Sequence, residues 1–204
     1  MSKVDYKKEL KELYSGKVGE NIEVDVPSMM FLMIDGKGNP NTSKEFTEAV
    51  EALYPVAYTL KFMSKLELGE DYGVMPLEGQ FWTNDMASFD ANNKDSWLWT
   101  LMIMQPKMIT KEMFGKAIEQ IKTKKNPPAL RKLRLKEFTE GRAAQVMYVG
   151  PYSDEGPTIQ KLHDFIKMNG GKLNGATKKH HEIYLSDMRR TAPEKLKTII
   201  RQPY

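Results

Sequence analysis

Apolar positions change period several times along this chain, and each change marks an element. Residues 29–34 (MMFLMI) are an unbroken apolar run of strand length, stopped by Asp35-Gly36-Lys37-Gly38-Asn39-Pro40. Phe46, Ala49, Val50, Leu53, Ala57 and Leu60 then recur at helical spacing behind a capping box of Thr42 and Glu45. Pro55 falls inside that pattern and is expected to kink or break the helix, because it removes an N–H and crowds the preceding turn. Strand signals follow at 72–75, 77–82 and 97–104. Residues 109–121 predict a helix capped by Thr110 and ended by Asn126-Pro127-Pro128.

The second half runs in the same order. A strand over 131–138 and a turn at Thr139-Glu140-Gly141 lead to a strand over 143–149, stopped by Gly150-Pro151. Gly156-Pro157 opens a helix with Ile159, Leu162, Phe165 and Ile166 as its apolar stripe, and Asn169-Gly170-Gly171 ends it. Strands are expected near 172–174 and 181–186. A second capping box, Thr191 with Glu194, predicts a C-terminal helix that buries Leu196, Ile199 and Ile200. Strand, helix, strand, strand therefore occurs twice, which predicts an α+β domain of two related β-α-β-β units. Residues 1–26 read as a charged leader with a short helix over 5–14. The domain proper is expected over 27–204, with halves at 27–106 and 131–204 and a connecting helix at 109–122.

Composition narrows the chemistry. The chain has 204 residues, 40% of them hydrophobic and 28% charged, as in an ordinary globular protein. It has no cysteine, so disulfides and thiolate nucleophiles are excluded. The N-terminus is charged and carries no apolar h-region, and no apolar run approaches the length of a bilayer span, so neither a secretory signal nor a membrane helix is expected. The expected compartment is the cytoplasm. Net charge is +4, but the lysines are scattered and no DNA- or RNA-binding motif accompanies them, so no direct nucleic-acid binding is expected. The 14 methionines are core filler for the most part, and they also suit surfaces that repack around varied ligands.

No nucleophile elbow, phosphate-binding loop, dinucleotide fingerprint or zinc-protease helix is present. His180-His181-Glu182 looks metal-like, but alternation puts only His180 and Glu182 on one face, and two ligands are too few; no metal or cofactor is expected. The same alternation pairs Glu182 with Tyr184 on one face of their strand. It also sets Glu78, Gln80 and Trp82 on one face of theirs. A carboxylate in an aromatic wall recognises a flat cation through ion pairing and cation–π attraction. A solvated sheet surface would show the same pattern.

The run from Glu182 to Pro203 (EIYLSDMRRTAPEKLKTIIRQP) resembles the C-terminal signature of the GyrI-like small-molecule-binding proteins. The turns Phe31 to Pro40 and Val149-Gly150-Pro151-Tyr152 resemble those after the first strand of each half in that family. Met188 stands where proline is expected, in a turn. The resemblance implies an SHS2-type duplication, two pseudo-twofold-related units with a ligand cleft between them. It implies an acidic residue in an aromatic pocket, a role that falls on Glu182. Relatives include drug-sensing domains of transcription activators, inhibitors of DNA gyrase, stand-alone xenobiotic binders, and hydrolases of cyclopropane-bearing DNA alkylators. The implied ligand is a planar or cationic xenobiotic, with Glu78, Trp82, Trp99, Tyr148, Glu182 and Tyr184 as binding residues. For hydrolysis, Glu182 would act as base and Tyr184 or Tyr148 as hydrogen-bond donor. A non-catalytic sequestering protein and a protein–protein inhibitor both stay open, as does the choice between monomer and dimer.

Overall fold

The computed structural model describes residues 3–84, 94–173 and 177–204. In chain order these form the short helices α1 (Tyr6–Glu9) and α2 (Lys11–Tyr14), strands β1 (Ile22–Val26) and β2 (Met29–Lys37), and the long helix α3 (Lys44–Met63). Strands β3 (Leu77–Trp82) and β4 (Leu98–Gln105), helix α4 (Lys111–Lys124), and strands β5 (Arg134–Phe138) and β6 (Gly141–Val149) follow. Helix α5 (Gly156–Met168) and strands β7 (His180–Tyr184) and β8 (Lys197–Pro203) complete the chain. Among the described residues, eight strands make one antiparallel sheet in the order β1-β6-β8-β7-β3-β4-β2-β5.

That order reads alike from either end. Each half sets its first strand outermost, its last strand next and its middle strand innermost, so β7 meets β3 at the centre. The strand that precedes each half crosses over: β1 pairs with β6, and β5 pairs with β2. Each half lays its long helix on the same face of the sheet. Ala49, Ala52, Leu53, Val56, Ala57 and Leu60 of α3 pack with Leu32, Ile34, Leu101 and Ile103, and all are fully buried. Leu162 and Ile166 of α5 pack with Ala144, Val146 and Ile200. Each large aliphatic side chain so buried contributes about 1.5–3 kcal/mol relative to exposure. The other face is covered in part by α2, whose Leu13 and Tyr14 are buried. No helix of the described residues is long and apolar enough to cross a membrane.

Several expectations change. The α3 cap is Ser43, not Thr42: its hydroxyl accepts from the Phe46 N–H at 3.4 Å. Pro55 does not end α3, because Glu51, whose carbonyl loses its donor, is exposed and can be hydrated. Residues 72–75 form no strand; Tyr72 makes a single bridge to Val4. Lys172 and Leu173 are irregular, and Asn174 lies outside the described residues. The C-terminal helix is instead β8. The Thr191–Glu194 box produces only a 3-10 turn at Pro193–Lys195, and the chain then fills the slot between β6 and β7, which buries Ile199 and Ile200 on opposite faces. Residues 22–26, assigned to the leader, supply β1, and their alternation Ile22, Val24, Val26 was a readable strand signal.

One close approach has a direct consequence. Gly36 stands opposite Trp99, and a Cβ at position 36 would lie 2.1 Å from the indole ring. The ring is fully buried, packs against Phe46 at 5.2 Å between centroids, and donates its Nε1–H to the Gly38 carbonyl at 3.2 Å. Gly36→Ala is expected to cost about 1–3 kcal/mol by overpacking and to lower the midpoint of thermal unfolding. An unchanged midpoint would show that the indole moves aside freely.

Candidate functional site

Register carries side chains into rows across the sheet, and one row defines the centre. Glu182 faces Gly79 on β3 and Ile200 on β8. Gly79 faces Leu101, and Leu101 faces Ile34; on the other side Ile200 faces Val146. Ile34 and Leu101 belong to the apolar cluster of α3, Val146 and Ile200 to that of α5. Glu182 therefore sits on the midline between two helix-covered halves, beside a residue with no side chain. The Phe81 ring leans over Gly79, where a Cβ would meet it at 2.8 Å. Trp97 packs on Phe81 at 5.6 Å between centroids, and the Lys94 ammonium lies 4.9 Å from the Trp97 ring.

The Glu182 carboxylate is buried, with 9% of its surface exposed, and both of its oxygens are engaged. His180 Nε2 lies 3.0 Å from Oε1, and the Tyr184 hydroxyl donates to Oε2 at 2.7 Å. Burial alone would favour the neutral acid, but these donors outweigh it and hold the carboxyl below its usual range. The Tyr184 phenol is pushed well above its ordinary value by burial and by that adjacent charge. Tyr152 stacks edge-on against Tyr184 at 5.6 Å, and burial with Glu182 raises it to about 12. A second carboxyl, Glu155, stands just before α5 and is 4% exposed. Burial first, and the charge of Glu182 second, push Glu155 up to about 9, against the opposing pull of Lys94. The two acids are driven apart, one ionised and one protonated at neutral pH.

The expected site residues divide. Tyr184 and Tyr148 lie on the Glu182 face, in one row through Thr198. The Tyr148 hydroxyl donates to the Pro151 carbonyl at 3.0 Å. Trp99 lies on that face too, but inside the core beneath α3, where it is fully buried. Glu78 and Trp82 point to the opposite face, because β3 and β7 pair with Gly79, not Glu78, across from Glu182. Trp82 there carries the Lys179 ammonium 3.3 Å from its ring. The other rings gathered on this face are Phe81, with Trp97 packed on it, and Tyr152, which packs on Tyr184. Alternation placed Phe81 opposite Glu78, and only the cross-strand register shows that this is the Glu182 side. Glu155 had no local signal, since it precedes Gly156-Pro157 as an ordinary loop acid. An open hollow of about 780 Å³, lined by Lys11, Glu20, Asp25 and Met147 among others, shares no residue with this cluster.

Comparison with known proteins fits this geometry. Residues 22–204 match the GyrI-like small molecule binding domain. The chain belongs to the GyrI-like family. A conserved protein from Listeria innocua of known structure is 40% identical, with a TM-score of 0.88 over 98% of this chain and 99% of that one. A hydrolase from Listeria innocua is also 40% identical, with a TM-score of 0.85 over 99% of both chains. The EcmrR C-terminal domain, 11% identical with a TM-score of 0.52 over 90% of this chain and 96% of that one, shares the fold alone. No curated protein matches the chain.

In this GyrI-like domain Glu78 belongs to a buried ionic network on the far face. Its Oε1 accepts from the Tyr14 hydroxyl at 2.7 Å, and its Oε2 lies 3.1 Å from His181 Nε2, off the ideal hydrogen-bond line. His181 Nδ1 meets Glu140 at 2.8 Å. Arg201 reaches Glu140, Gln145 and the Leu13 carbonyl, which ties α2 to the sheet. Burial would lower the imidazole, but Glu140 and Glu78 more than offset it and raise His181 to about 9. A histidine raised in this way binds its proton in the folded state over a range where the unfolded chain has lost it. Its stabilisation is therefore complete below about pH 6.5 and is lost as pH rises through about 9. Histidine NMR should show His181 still protonated at neutral pH, and Glu78→Gln should move its titration to lower pH. A neutral His181 at pH 7 would contradict the network.

Proposed function

We propose that this GyrI-like chain is a hydrolase of planar, strained electrophiles, acting at Glu182, and that cyclopropane-bearing DNA alkylators are its substrate class. One observation carries the reading: a buried carboxylate is held ionised at the midline, among aromatic rings. An ionised, desolvated carboxylate with a fixed orientation suits removal of a proton from water. The surrounding Phe81, Trp97, Tyr152 and Tyr184 suit a flat apolar guest, whose strain lowers the demand on the site. Orientation in such a cage can supply several kcal/mol of the barrier, up to about 7–11 in ideal cases. The hydrolase from Listeria innocua, 40% identical over 99% of both chains, supports the reading.

Sequestration without turnover is the second reading. It is favoured by the engagement of both Glu182 oxygens by His180 and Tyr184, since a charge held in this way also recognises a cation. Multiple-turnover assays separate the two. Drug incubated with catalytic amounts of protein should yield many equivalents of ring-opened alcohol by mass spectrometry. Glu182→Gln should lower that rate by about 10²–10⁴-fold while the circular dichroism spectrum shows the fold intact. Product capped at one equivalent per protein, or drug recovered unchanged, would leave sequestration.

A further inference from the structure

Resting on the hydrolase reading, we propose that Glu155 is the proton donor of the reaction. It delivers its proton to the oxygen that gains charge as the ring opens, while Glu182 takes the proton of the attacking water. The placement of Glu155 argues for chemistry over capping. It occupies the residue before α5, where a carboxylate would normally accept from the first helical N–H groups, yet its side chain makes no capping bond. The side chain is instead buried, and the Thr198 hydroxyl is the one hydrogen-bonding side chain that meets its carboxyl among the described residues. That partner, the hydroxyl of Thr198, is buried in the row shared with Tyr184 and Tyr148.

Buried polar groups are normally fully hydrogen-bonded, and a buried carboxyl with a single hydroxyl for company leaves bonding capacity that a ligand group can complete. Glu155 closely follows Tyr152 in the chain and reaches Thr198, which pairs with both Tyr148 and Tyr184, so it stands beside these rings. Lys94 is the cation whose field reaches both acids. The α5 N-terminus favours an ionised Glu155, but that influence is modest and acts within the first turn. Burial and the facing Glu182 carboxylate oppose it and keep the proton on Glu155 at neutral pH.

The step balances without a co-reactant. Water attacks the ring methylene, a carbon–oxygen bond forms and a cyclopropane carbon–carbon bond breaks. The electron pair moves through the conjugated system to the carbonyl oxygen, which becomes a hydroxyl with the Glu155 proton. Glu182 ends protonated and Glu155 ionised. Return of one proton from Glu182 to Glu155 restores the starting pair. Two carboxyl groups held at different protonation states are the arrangement such a reaction needs.

Three measurements test the assignment. In wild type at pH 7, difference infrared spectroscopy should show the carbonyl stretch of a protonated carboxylic acid, and Glu155→Gln should abolish it. Glu155→Gln should lower turnover by about 10²–10⁴-fold while binding the same drug with unchanged affinity. It should also remove the alkaline fall of the wild-type pH–rate profile, and Glu155→Asp should restore part of both. Wild-type turnover in Glu155→Gln, or an alkaline limb that persists, overturns the assignment and leaves the hydrolase reading standing. Wild type that makes no product overturns the hydrolase reading itself, and this role falls with it.

Discussion

The pairing of β3 with β7 is the constraint on which the rest depends. Each strand is the innermost member of its half, and their antiparallel register sets Gly79 across from Glu182. Side chains alternate, so a slip of one residue would exchange the faces. Glu182 and His180 would then enter the α2 side, and His181 would enter the gap between α3 and α5. Two incompatible polar systems are kept apart by one strand. His181 is bracketed by Glu78 and Glu140 on one face, while His180, Glu182 and Tyr184 form a separate group on the other. The backbone of β7 is the partition.

Much of this was legible in the chain. The apolar run of β2, the stripe of α3 and the Gly-Pro start of α5 each carry a local signal that matches the observed element. The shared face of Glu182 and Tyr184 followed from alternation alone. What failed were positions decided by distant partners. Residues 197–203 have a plausible helical stripe, yet they become β8 because β6 and β7 leave a slot that only a strand can fill. Glu78 and Glu182 were each placed correctly on their own strands, but a face shared between strands depends on register, which no single segment encodes. Trp99 looked like a ligand-facing ring, and it is instead the wedge that the missing side chain of Gly36 admits.

The candidate site has a consistent electrostatic logic. Burial disfavours charge on any carboxyl, so the two buried acids held below their usual range are accompanied by donors. Glu140 has His181 and Arg201, and Glu182 has His180 and Tyr184. Glu155 has only the Thr198 hydroxyl for company and stays neutral. Both acids are buried, and burial preserves the difference between them. A polar substitution among Phe81, Trp97 or Tyr152 would admit solvent and narrow it.

The crossed leading strands bear on how the protein is made. Ile22 pairs with Gln145 and Val26 with Gly141, so β1 emerges from a ribosome long before its partner β6 exists. During that interval a five-residue alternating strand has an unsatisfied edge, and its own charges, Glu23 and Asp25, discourage pairing with other chains. Closure of the sheet must wait for more than half of the polypeptide, and contacts so far apart in sequence form slowly. Neither half can complete its sheet alone, because each borrows an outer strand from the other's leading segment. Separating the halves as independent polypeptides would therefore give two partners that fold by combining.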